Sequence, residues 1–422
     1  MDSWRIETKC IQEGYKPGNG EPRVLPIYQS TTYKYDSTEH VAHLFDVPVD
    51  GHIYSRISNP TVGFVESKIA ALEGGAAAMC TSSGQSASLN AILNLCEKGD
   101  HFVASSTIYG GTYNLFAVTL KRLGIDVTFI DPDSSEDEIQ KAFRPNTKAL
   151  FGETIANPKI SVLDIEKFAR IAHKNGVPLI VDNTFATPFL CRPIDFGADI
   201  VIHSTTKYID GHAICVGGVI VDAGKFDWTN GKFPAFTEPD ESYHGIVYTK
   251  DFGNLAYIIK IRYQLMRDFG NYMTPMNAFL INLGLETLHL RMERHSENAL
   301  KAAQFLQDSD KVLSVSYPGL ACDKYSDLAR KYLPKGCSGV ISFRIKGGRE
   351  AAIKFMDKLK LAAIVVHVAD ARTAVLHPAS ATHRQLSDEQ LLAAGIEPDL
   401  IRVSVGIESV EDIIEDLSQA LG

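Results

Sequence analysis

The sequence predicts an α/β protein with a large domain built on a mainly parallel sheet and a smaller α/β C-terminal domain. Two observations support this. From residue 59 onward, short apolar runs alternate with helix-length amphipathic segments, which is typical of parallel strands joined by crossover helices. A second set of apolar runs follows a long helical pattern near the C-terminus, which indicates a separate, smaller unit.

Residues 1–58 are predicted to form an N-terminal arm. Proline and glycine recur between positions 17 and 26, so the arm lacks a regular pattern and needs another surface to pack against. Helical periodicity begins at Asn59-Pro60 and stops at Gly74-Gly75, which are typical start and stop signals. The large domain is therefore predicted to span residues 59–270 and the C-terminal domain residues 271–422.

The strands of the large domain are predicted from short apolar runs, each followed by a helical pattern or a turn. They are Ala76–Cys80, His101–Ala104, Val127–Ile130, Ala149–Phe151, Pro178–Val181 and Ile200–His203.

Periodicity is lost between Asp222 and Arg262, where Gly, Pro and aromatic residues dominate. Because so aromatic a stretch is unlike a disordered tail, it is predicted to be an insertion or loop layer over a site. One long helix is predicted over 275–307. Strands are then expected at Gly339–Ile345, Ala362–Val368 and Ile401–Val405, and a closing helix at Ser409–Leu421.

Composition excludes several classes of protein. A net charge of −9 provides no general attraction for nucleic acid or anionic lipid, and no apolar run is long enough to span a bilayer. Residues 1–5 lead into no apolar segment, so the protein is expected to be soluble and cytoplasmic. Seven cysteines without paired spacing argue against a disulfide framework or a metal site. No Gly-x-Gly-x-x-Gly follows an early strand, which argues against a dinucleotide-binding dehydrogenase.

A phosphate-binding turn is suggested where the first apolar run leads into a helix. Ser83-Gly84-Gln85 stand at that junction, and a helix N-terminus presents unpaired N–H groups and the positive end of its dipole. A plain serine cap with glycine in the turn explains the same residues. This segment alone does not decide between the two interpretations.

Two further strand ends carry reactive side chains. Asp182 ends the run 177–181, where a carboxylate can pair with a protonated ring nitrogen or simply cap the next turn. Lys207 follows the run 200–203, with Ser204 and Thr206 beside it. Such a lysine is usually a solvated surface residue, but in a desolvated crevice it can form a Schiff base, and the hydroxyls can hold a phosphate. Together the three strand ends fit one molecule of pyridoxal 5'-phosphate (PLP).

The segment 199–212, which includes Ser204-Thr205-Thr206-Lys207-Tyr208-Ile209 and Gly211-His212, resembles the PLP-attachment signature of the Cys/Met metabolism family of fold-type I PLP-dependent transferases. The resemblance extends along nearly the whole chain. Its other matching segments are Tyr54-Ser55-Arg56, Asn59-Pro60-Thr61, Ser82-Ser83-Gly84-Gln85, Tyr109-Gly110-Gly111-Thr112, Glu153–Pro158, His377–Ser380, Thr382-His383 and Arg402–Gly406.

The resemblance implies a role for each matching residue. Lys207 is expected to hold PLP covalently and to shuttle protons, while Tyr109 stacks on the pyridine ring and Asp182 pairs with its nitrogen. The phosphate is expected to be bound by Ser83, Gly84, Gln85, Ser204 and Thr206. Asn157 is expected near the ring oxygen and the substrate, Arg402 on the substrate carboxylate, and His367 and Thr382 on the substrate side. Tyr54 and Arg56 are expected to enter the active site of a neighbouring subunit of a homotetramer, a dimer of dimers with shared sites.

Within the family, the likeness is greatest to the enzymes that join O-acetylhomoserine to sulfide or a small thiol, giving homocysteine or methionine and acetate. Gln85, the Asp222–Arg262 insertion and Gly111 favour this branch, since methionine γ-lyases characteristically place a cysteine at the position of Gly111. A methionine or cystathionine γ-lyase, or a cystathionine γ-synthase, is the alternative. A catalytically silent scaffold would lack Lys207 or Arg402, and neither is missing.

The segment His367-Val368-Ala369-Asp370 departs from the family pattern. Family members more often place a small polar residue or Asn at the first position and Gly at the third. His367 is expected near the carboxylate clamp, so the departure bears on substrate preference. A packed core histidine is the alternative. Ala213, after Gly211-His212, is a second departure, from which little consequence is expected.

Overall fold

The computed structural model describes residues 4–46, 51–381 and 397–422. A seven-stranded sheet forms its centre, in the order β1-β7-β6-β5-β4-β2-β3. The strands are β1 Ala77–Thr81, β2 His101–Ser105, β3 Asp126–Ile130, β4 Thr147–Glu153, β5 Leu179–Asp182, β6 Ile200–His203 and β7 Gly218–Asp222. The neighbouring pairs are parallel except for those that β7 makes with β1 and β6. The mainly parallel sheet is thus confirmed, and β7 is a strand that the sequence pattern missed.

Successive side chains of the central strands enter two different hydrophobic cores. Leu179 and Val181 of β5 belong to one core, and Ile180 between them belongs to the other. Apolar residues therefore cannot alternate with polar ones along these strands, since both faces of the sheet are covered. This is why the strands appear in the sequence as short unbroken apolar runs.

The helices lie on both faces of this sheet and in the C-terminal part of the chain. They are α1 Ile6–Gln12, α2 Thr38–Asp46, α3 Pro60–Glu73, α4 Gly84–Leu93, α5 Gly110–Asn114, α6 Glu136–Gln140, α7 Ile165–Lys174, α8 Thr187–Leu190, α9 Pro234–Thr237, α10 Tyr248–Phe252, α11 Ala256–Lys260, α12 Arg267–Phe269, α13 Pro275–Glu286, α14 Leu288–Asp308, α15 Ser326–Tyr332, α16 Gly348–Lys358 and α17 Val410–Leu421. Short π-helical turns follow α5 at Leu115–Leu120 and α11 at Ile261–Met266, and 3₁₀ turns lie at Pro193–Phe196, Glu241–Tyr243, Gly253–Leu255 and Pro378–Ser380. In the described parts of the chain, no helix combines the length and apolar composition needed to cross a membrane.

The signals at both ends of α3 are confirmed. The Asn59 side chain accepts the backbone N–H of Thr61 at 3.0 Å, Pro60 occupies the first turn, and Gly74 ends the helix with φ of 78°. That positive φ favours glycine, which has no Cβ to clash there. Asn59 Nδ2 also donates to the carbonyl oxygen of Tyr28, so the same residue ties the arm to the helix.

A second sheet of five strands lies in the C-terminal part of the chain, in the order β10-β11-β12-β9-β8. Its strands are β8 Val312–Ser316, β9 Val340–Ile345, β10 Ala363–Ile364, β11 Ala374–Leu376 and β12 Leu400–Ser404. All neighbouring pairs are antiparallel except β10 with β11. The smaller α/β unit is confirmed, while the boundaries at residues 58 and 270 stay a prediction.

Two predictions for the C-terminal part are wrong in detail. The helix expected over 275–307 is broken at Thr287, whose φ and ψ of −108° and 7° are not helical. Neither Pro nor Gly marks the break. The strand expected at Ala362–Val368 shrinks to Ala363–Ile364. The N–H of Val365 still donates to the carbonyl oxygen of Val375 on β11, and the chain then leads to His367.

Helix α13 is packed against the backbone that follows Lys207. A Cβ on Gly284 would lie 2.3 Å from the carbonyl oxygen of Ile209 and 2.5 Å from that of Asp210. Arg291 Nη1 donates to the carbonyl oxygen of Tyr208, and its Nη2 to that of Gly284, both at 2.7 Å. The position of the lysine therefore depends on how closely α13 approaches.

We predict that Gly284→Ala lowers the free energy of unfolding by about 1–3 kcal/mol, because the added methyl group must push α13 away from the Lys207 segment. Gly63→Ala is the matched control, since Gly63 is also helical but has no atom within 4 Å of its added Cβ. Alanine there should be neutral or stabilising. Midpoints of thermal denaturation measure both effects. An unchanged midpoint for Gly284→Ala would show that this close packing is not needed.

Candidate active site

A cavity of about 630 Å³ opens at the carboxyl ends of the parallel strands. Its walls come from both sheets, since Arg402 lies on β12 and residues 366–368 precede β11. The lining residues are Ser83, Gly84, Gln85, Ser88, Tyr109, Gly111, Thr112, Glu153, Ile155, Asn157, Asp182, Thr184, Phe185, Ser204, Thr206, Lys207, Val216, Val366, His367, Val368 and Arg402.

One end of the cavity forms an anion cradle. The Ser83 hydroxyl accepts the N–H of Ser86 at 3.0 Å and so begins α4. A Cβ on Gly84 would lie 2.5 Å from Cβ of Ser204, so only glycine lets the helix start meet the serine that follows β6. Ser83 can therefore both cap α4 and belong to a phosphate site. Capping uses only the N–H of Ser86, and the first turn of α4 still faces the cavity.

Gln85 and Thr206 are held at the edges of this cradle. Gln85 Nε2 donates to the carbonyl oxygen of Gly111 at 3.0 Å. The Thr206 hydroxyl donates to the carbonyl oxygen of Gly217 and accepts its N–H, both at 3.1 Å. The side chain of Gln85, whose backbone N–H is expected to bind the phosphate, and the hydroxyl of Thr206 thus also hold neighbouring loops in place.

Asp182 both caps a turn and faces the cavity. Its Oδ1 accepts the Thr184 hydroxyl at 2.5 Å and the Thr184 N–H at 3.0 Å. Burial raises the pKa of Asp182, and the two bonds from Thr184 oppose that rise. Both hydrogen bonds of the turn are accepted by Oδ1, so Oδ2 can pair with a protonated ring nitrogen.

Glu153 is a site residue that the sequence reasoning did not single out. It ends β4 beside Asp182 on β5, and its Oε1 accepts the Tyr109 N–H at 2.6 Å. Burial, and then the charge of Asp182, raise the pKa of Glu153 well above its usual value. The signal that identified Asp182, a carboxylate at the end of an apolar strand, applies equally to Glu153.

Lys207 presents its amine to the cavity. Burial, and then the positive charge of Arg402, lower the pKa of Lys207 to about 8, while Asp370 opposes the change. The Nζ atom lies 3.5 Å from Nδ1 of His367. A substantial fraction of this amine is therefore neutral near pH 8, as a nucleophile or base must be.

Arg402 is set up to bind an anion. Its side chain is only 7% exposed, and burial lowers its pKa to about 10. Nη1 donates to Oδ1 of Asn157 at 3.3 Å, and Nη2 donates to the carbonyl oxygen of Val366 at 3.4 Å. Nε is buried and has no hydrogen-bond partner in the described part of the chain. A buried donor without a partner is costly, and a substrate carboxylate would supply one.

Most of the predicted site residues meet in this cavity, but two lie outside it and one cannot be placed. Arg56 Nη1 donates to the carbonyl oxygen of Arg267, and its guanidinium lies 5.3 Å from the ring of Tyr54, which is 39% exposed. Neither residue lines the cavity of its own chain. Thr382 lies outside the described residues.

The expectation that the segment 222–262 covers the site is wrong within this chain. All of this segment is described, and none of it lines the cavity. Trp228 instead stacks on Phe236 and Tyr257, in the core that also contains Ile180 and Ile220 of the sheet. The aromatic residues therefore build a wall on one face of the sheet, because their large apolar area is better buried there than over an open cavity.

The cavity fits PLP. A cradle of N–H and hydroxyl groups lies at one end, a buried carboxylate faces the middle, and an amine of lowered pKa stands across from it. These groups match the phosphate, the ring nitrogen and the aldehyde of the cofactor.

Comparison with known proteins agrees with this geometry. Residues 7–422 match the family described as Cys/Met metabolism PLP-dependent enzyme. The chain belongs to that family. PLP is therefore its cofactor, and the fold is that of the fold-type I enzymes.

The chain is also similar to individual members of the family. It is 46% identical to the O-acetyl-L-homoserine sulfhydrylase of Leptospira meyeri, over 99% of this chain and 97% of that protein. It is 49% identical to the homocysteine/cysteine synthase of Saccharomyces cerevisiae, over 98% and 96%. A crystal structure from Campylobacter jejuni, described as an O-acetylhomoserine (thiol)-lyase with a pyridoxyl-lysine phosphate residue, superposes with a TM-score of 0.95 at 38% identity, covering 99% of this chain and all of that one.

We predict that Lys207 of the cofactor-free protein reacts with acetic anhydride with a midpoint near pH 8, because the neutral amine appears as pH rises through its lowered pKa. Arg402→Met should move the midpoint to higher pH by removing a positive charge. Lys331 is the internal control, since hydrogen bonds to Glu166 and Tyr332 raise its pKa. Peptide mass spectrometry of competitive labelling gives both titration curves. A midpoint for Lys207 above that of Lys331 would contradict the assignment.

Proposed function

We propose that this enzyme converts O-acetylhomoserine and sulfide, or a small thiol, to homocysteine or methionine and acetate. The observation that carries the proposal is the placement of Lys207, Asp182 and Arg402 in one cavity of a chain whose relatives are named as sulfhydrylases and homocysteine synthases. An amine of lowered pKa, a partner for the ring nitrogen and a guanidinium with an unpaired Nε are what a reaction on a PLP-bound amino acid requires.

Each residue has a distinct task in this proposal. Bound PLP supplies an electron sink that stabilises negative charge on the substrate carbons. Arg402 binds the substrate carboxylate through its unpaired Nε and one terminal nitrogen. Asp182 Oδ2 keeps a proton on the ring nitrogen, and Lys207 Nζ removes protons from the substrate. Ser83, Gly84, Gln85, Ser204 and Thr206 hold the phosphate, and Tyr109 and Asn157 face the ring.

Replacement is favoured over elimination by the surroundings of Tyr109. A Cβ on Gly111 would lie 2.5 Å from Cε1 of Tyr109, so the glycine lets the ring of Tyr109 lie against the backbone. The γ-lyases that the chain resembles place a cysteine there. Ile155, Phe185, Val216, Val366 and Val368 also line the cavity, and an apolar lining disfavours capture by water relative to capture by a thiol.

A product assay tests the proposed reaction. PLP-loaded protein receives O-acetyl-, O-succinyl- or O-phosphohomoserine, each with and without sulfide. We expect homocysteine from the acetyl ester, with kcat/KM at least about tenfold above the other esters, a difference of about 1.4 kcal/mol. Lys207→Ala is the control and should form none. If the enzyme releases 2-oxobutyrate from methionine faster than it forms homocysteine, it is a γ-lyase.

We also propose a cytoplasmic homotetramer, a dimer of dimers, in which Tyr54 and Arg56 complete the site of a neighbouring subunit. Both side chains lie away from the cavity of their own chain, and Tyr54 is exposed. The forked donors of Arg56 suit a phosphate. The free thiols of the described cysteines favour a reducing compartment.

Subunit exchange tests the shared site. Arg56→Ala should weaken PLP retention and Lys207→Ala should abolish turnover, yet the mixture should regain activity. In a hybrid dimer one site has Lys207 from the first variant and Arg56 from the second. Random pairing makes half of the dimers hybrid, each with one intact site, so about a quarter of wild-type activity is expected. No recovery after proven exchange would mean that each site is built from one chain.

A further inference from the structure

A buried acid–histidine pair lies beneath the strand ends that carry the site. Glu73 ends α3 and His203 ends β6, and His203 Nε2 lies 2.6 Å from Oε1 of Glu73. Both residues are 0% exposed, so solvent and salt screen this contact little. Neither residue lines the cavity, and the reaction proposed above gives them no task.

The pair belongs to a network of buried polar side chains that joins the ends of β4, β5 and β6. Asn183 Nδ2 donates to Oε1 of Glu73 at 2.9 Å, and the Thr154 hydroxyl donates to Oδ1 of Asn183 at 2.8 Å. Three members of the network are neighbours in sequence of residues that line the cavity, in the pairs Glu153-Thr154, Asp182-Asn183 and His203-Ser204.

Stability alone does not explain this pair. Oε2 of Glu73 and Nδ1 of His203 are buried and have no hydrogen-bond partner in the described part of the chain. Such atoms are costly, and a buried ion pair is often no more stabilising than apolar side chains of the same size. A task in the neighbouring site accounts for a pair that packing does not require.

The pair and the Asp182 carboxylate lie on opposite faces of the sheet. Val201 of β6 packs in the core that contains Leu72 of α3, whereas Ile180 of β5 packs in the other core. Because side chains alternate along a strand, His203 is directed to the α3 face and Asp182 to the opposite face. Asp182 is paired with the residue before His203, so the two residues are close neighbours on adjacent strands.

Charge balance favours an imidazolium ion at His203. A Glu73 carboxylate beside a neutral imidazole would put an uncompensated charge in a fully buried place, which is costly. Among the described side chains nearby, Asp182 is itself acidic, and Arg192 is partly exposed and paired with Asp195. A second proton on His203 makes the pair neutral as a whole and puts its positive end on the strand next to Asp182.

We propose that Glu73 and His203 are positioning residues that keep Asp182 in its charged form. Glu73 holds an imidazolium ion at the end of β6, and that ion stabilises the carboxylate at the end of β5. The inference rests on the proposed pairing of Asp182 with the ring nitrogen of the cofactor. A charged Asp182 keeps the proton on that nitrogen, so the pair on the far face of the sheet tunes the ring as an electron sink.

The groups around Asp182 agree with this assignment. Burial raises the pKa of Asp182, while the two bonds from Thr184, and then the charge of His203, lower it. Glu153 flanks Asp182 on β4 and His203 flanks it on β6, and Lys207 presents its amine to the same cavity. The imidazolium is therefore the positive charge that reaches Asp182 from within the sheet.

The protonation of the ring nitrogen in the PLP-loaded protein tests the proposal. PLP labelled with ¹⁵N in its ring gives a resonance whose position reports how far the nitrogen is protonated. Glu73→Gln removes the charge but keeps the shape of the side chain and an oxygen that accepts hydrogen bonds. We expect the resonance to move toward the position of the bare nitrogen in Glu73→Gln and in His203→Gln, because the proton then shifts from the ring toward Asp182.

Two variants are matched controls. Thr154→Val removes a hydrogen bond from the network but no charge. His101→Gln replaces another fully buried histidine of the same sheet, which contacts the hydroxyls of Thr128 and Thr147 instead of a carboxylate. Both changes should lower the midpoint of thermal denaturation and leave the ring resonance at its wild-type position.

The pKa of Asp182 in the cofactor-free protein is a second measurement. In protein with ¹³C-labelled aspartate side chains, the resonance that Asp182→Asn removes is that of Asp182. Its midpoint should lie about one pH unit or more higher in Glu73→Gln and in His203→Gln than in the wild type, since loss of a nearby positive charge favours the protonated carboxyl.

An unmoved ring resonance in both variants would overturn the proposal and leave the pair a structural role only. An equal shift in Thr154→Val would also overturn it, by assigning the effect to the hydrogen bonds instead of the charge. A bare ring nitrogen in the wild type would refute the proposed pairing of Asp182 and this inference with it. Failure to form homocysteine would refute the proposed reaction alone, because both measurements are made without turnover.

Discussion

Removing charged side chains from water at the carboxyl ends of the parallel strands is the constraint on which the site depends. Burial is the largest influence on the pKa values of Lys207, Asp182, Glu153 and Arg402 alike. The same packing that stabilises the two sheets therefore prepares the chemistry, because burial favours the neutral amine of Lys207 and the neutral carboxyl of Glu153. These groups tolerate burial because each has partners fixed by the backbone or faces the cavity.

The topology explains why residues far apart in sequence meet. Strands β4, β5 and β6 are parallel neighbours, so Glu153, Asp182 and the segment leading to Lys207 leave the sheet at one edge. Antiparallel β7 separates β6 from β1 and returns the chain from that edge through Gly217 and Gly218. A Cβ on Gly218 would lie 2.2 Å from the Ser83 carbonyl oxygen, and this close approach brings the start of α4 within reach of Ser204.

Sequence patterns predict those parts of the molecule that depend on local periodicity and on strand ends. The large parallel sheet, the limits of α3 and the meeting of Ser83, Asp182 and Lys207 follow from such patterns. The sequence pattern did not indicate strand β7, because its short apolar run directly follows the pair Gly217-Gly218, which is typical of a loop. The break at Thr287 has no sequence signal, since buried Leu285 and Leu288 on either side continue a helical pattern. The aromatic segment after Asp222 was recognised as ordered, but its place on the sheet face depends on long-range packing with the sheet.

The neighbouring carboxyl groups of Asp182 and Glu153 are both buried, but they differ in how strongly their surroundings favour ionisation. Asp182 receives two hydrogen bonds from Thr184 that favour its charged form, whereas Glu153 receives one from the Tyr109 backbone and is disfavoured by the charge of Asp182. When two buried carboxyls lie side by side, ionising one suppresses the other. The bonding pattern therefore puts the negative charge on Asp182, where a ring nitrogen can use it. The raised pKa of Glu153 favours its protonated form, which accepts the backbone N–H of Tyr109 and so positions the ring of that tyrosine. The two acids, which could not both ionise, therefore have different tasks: Asp182 carries the charge and Glu153 positions Tyr109.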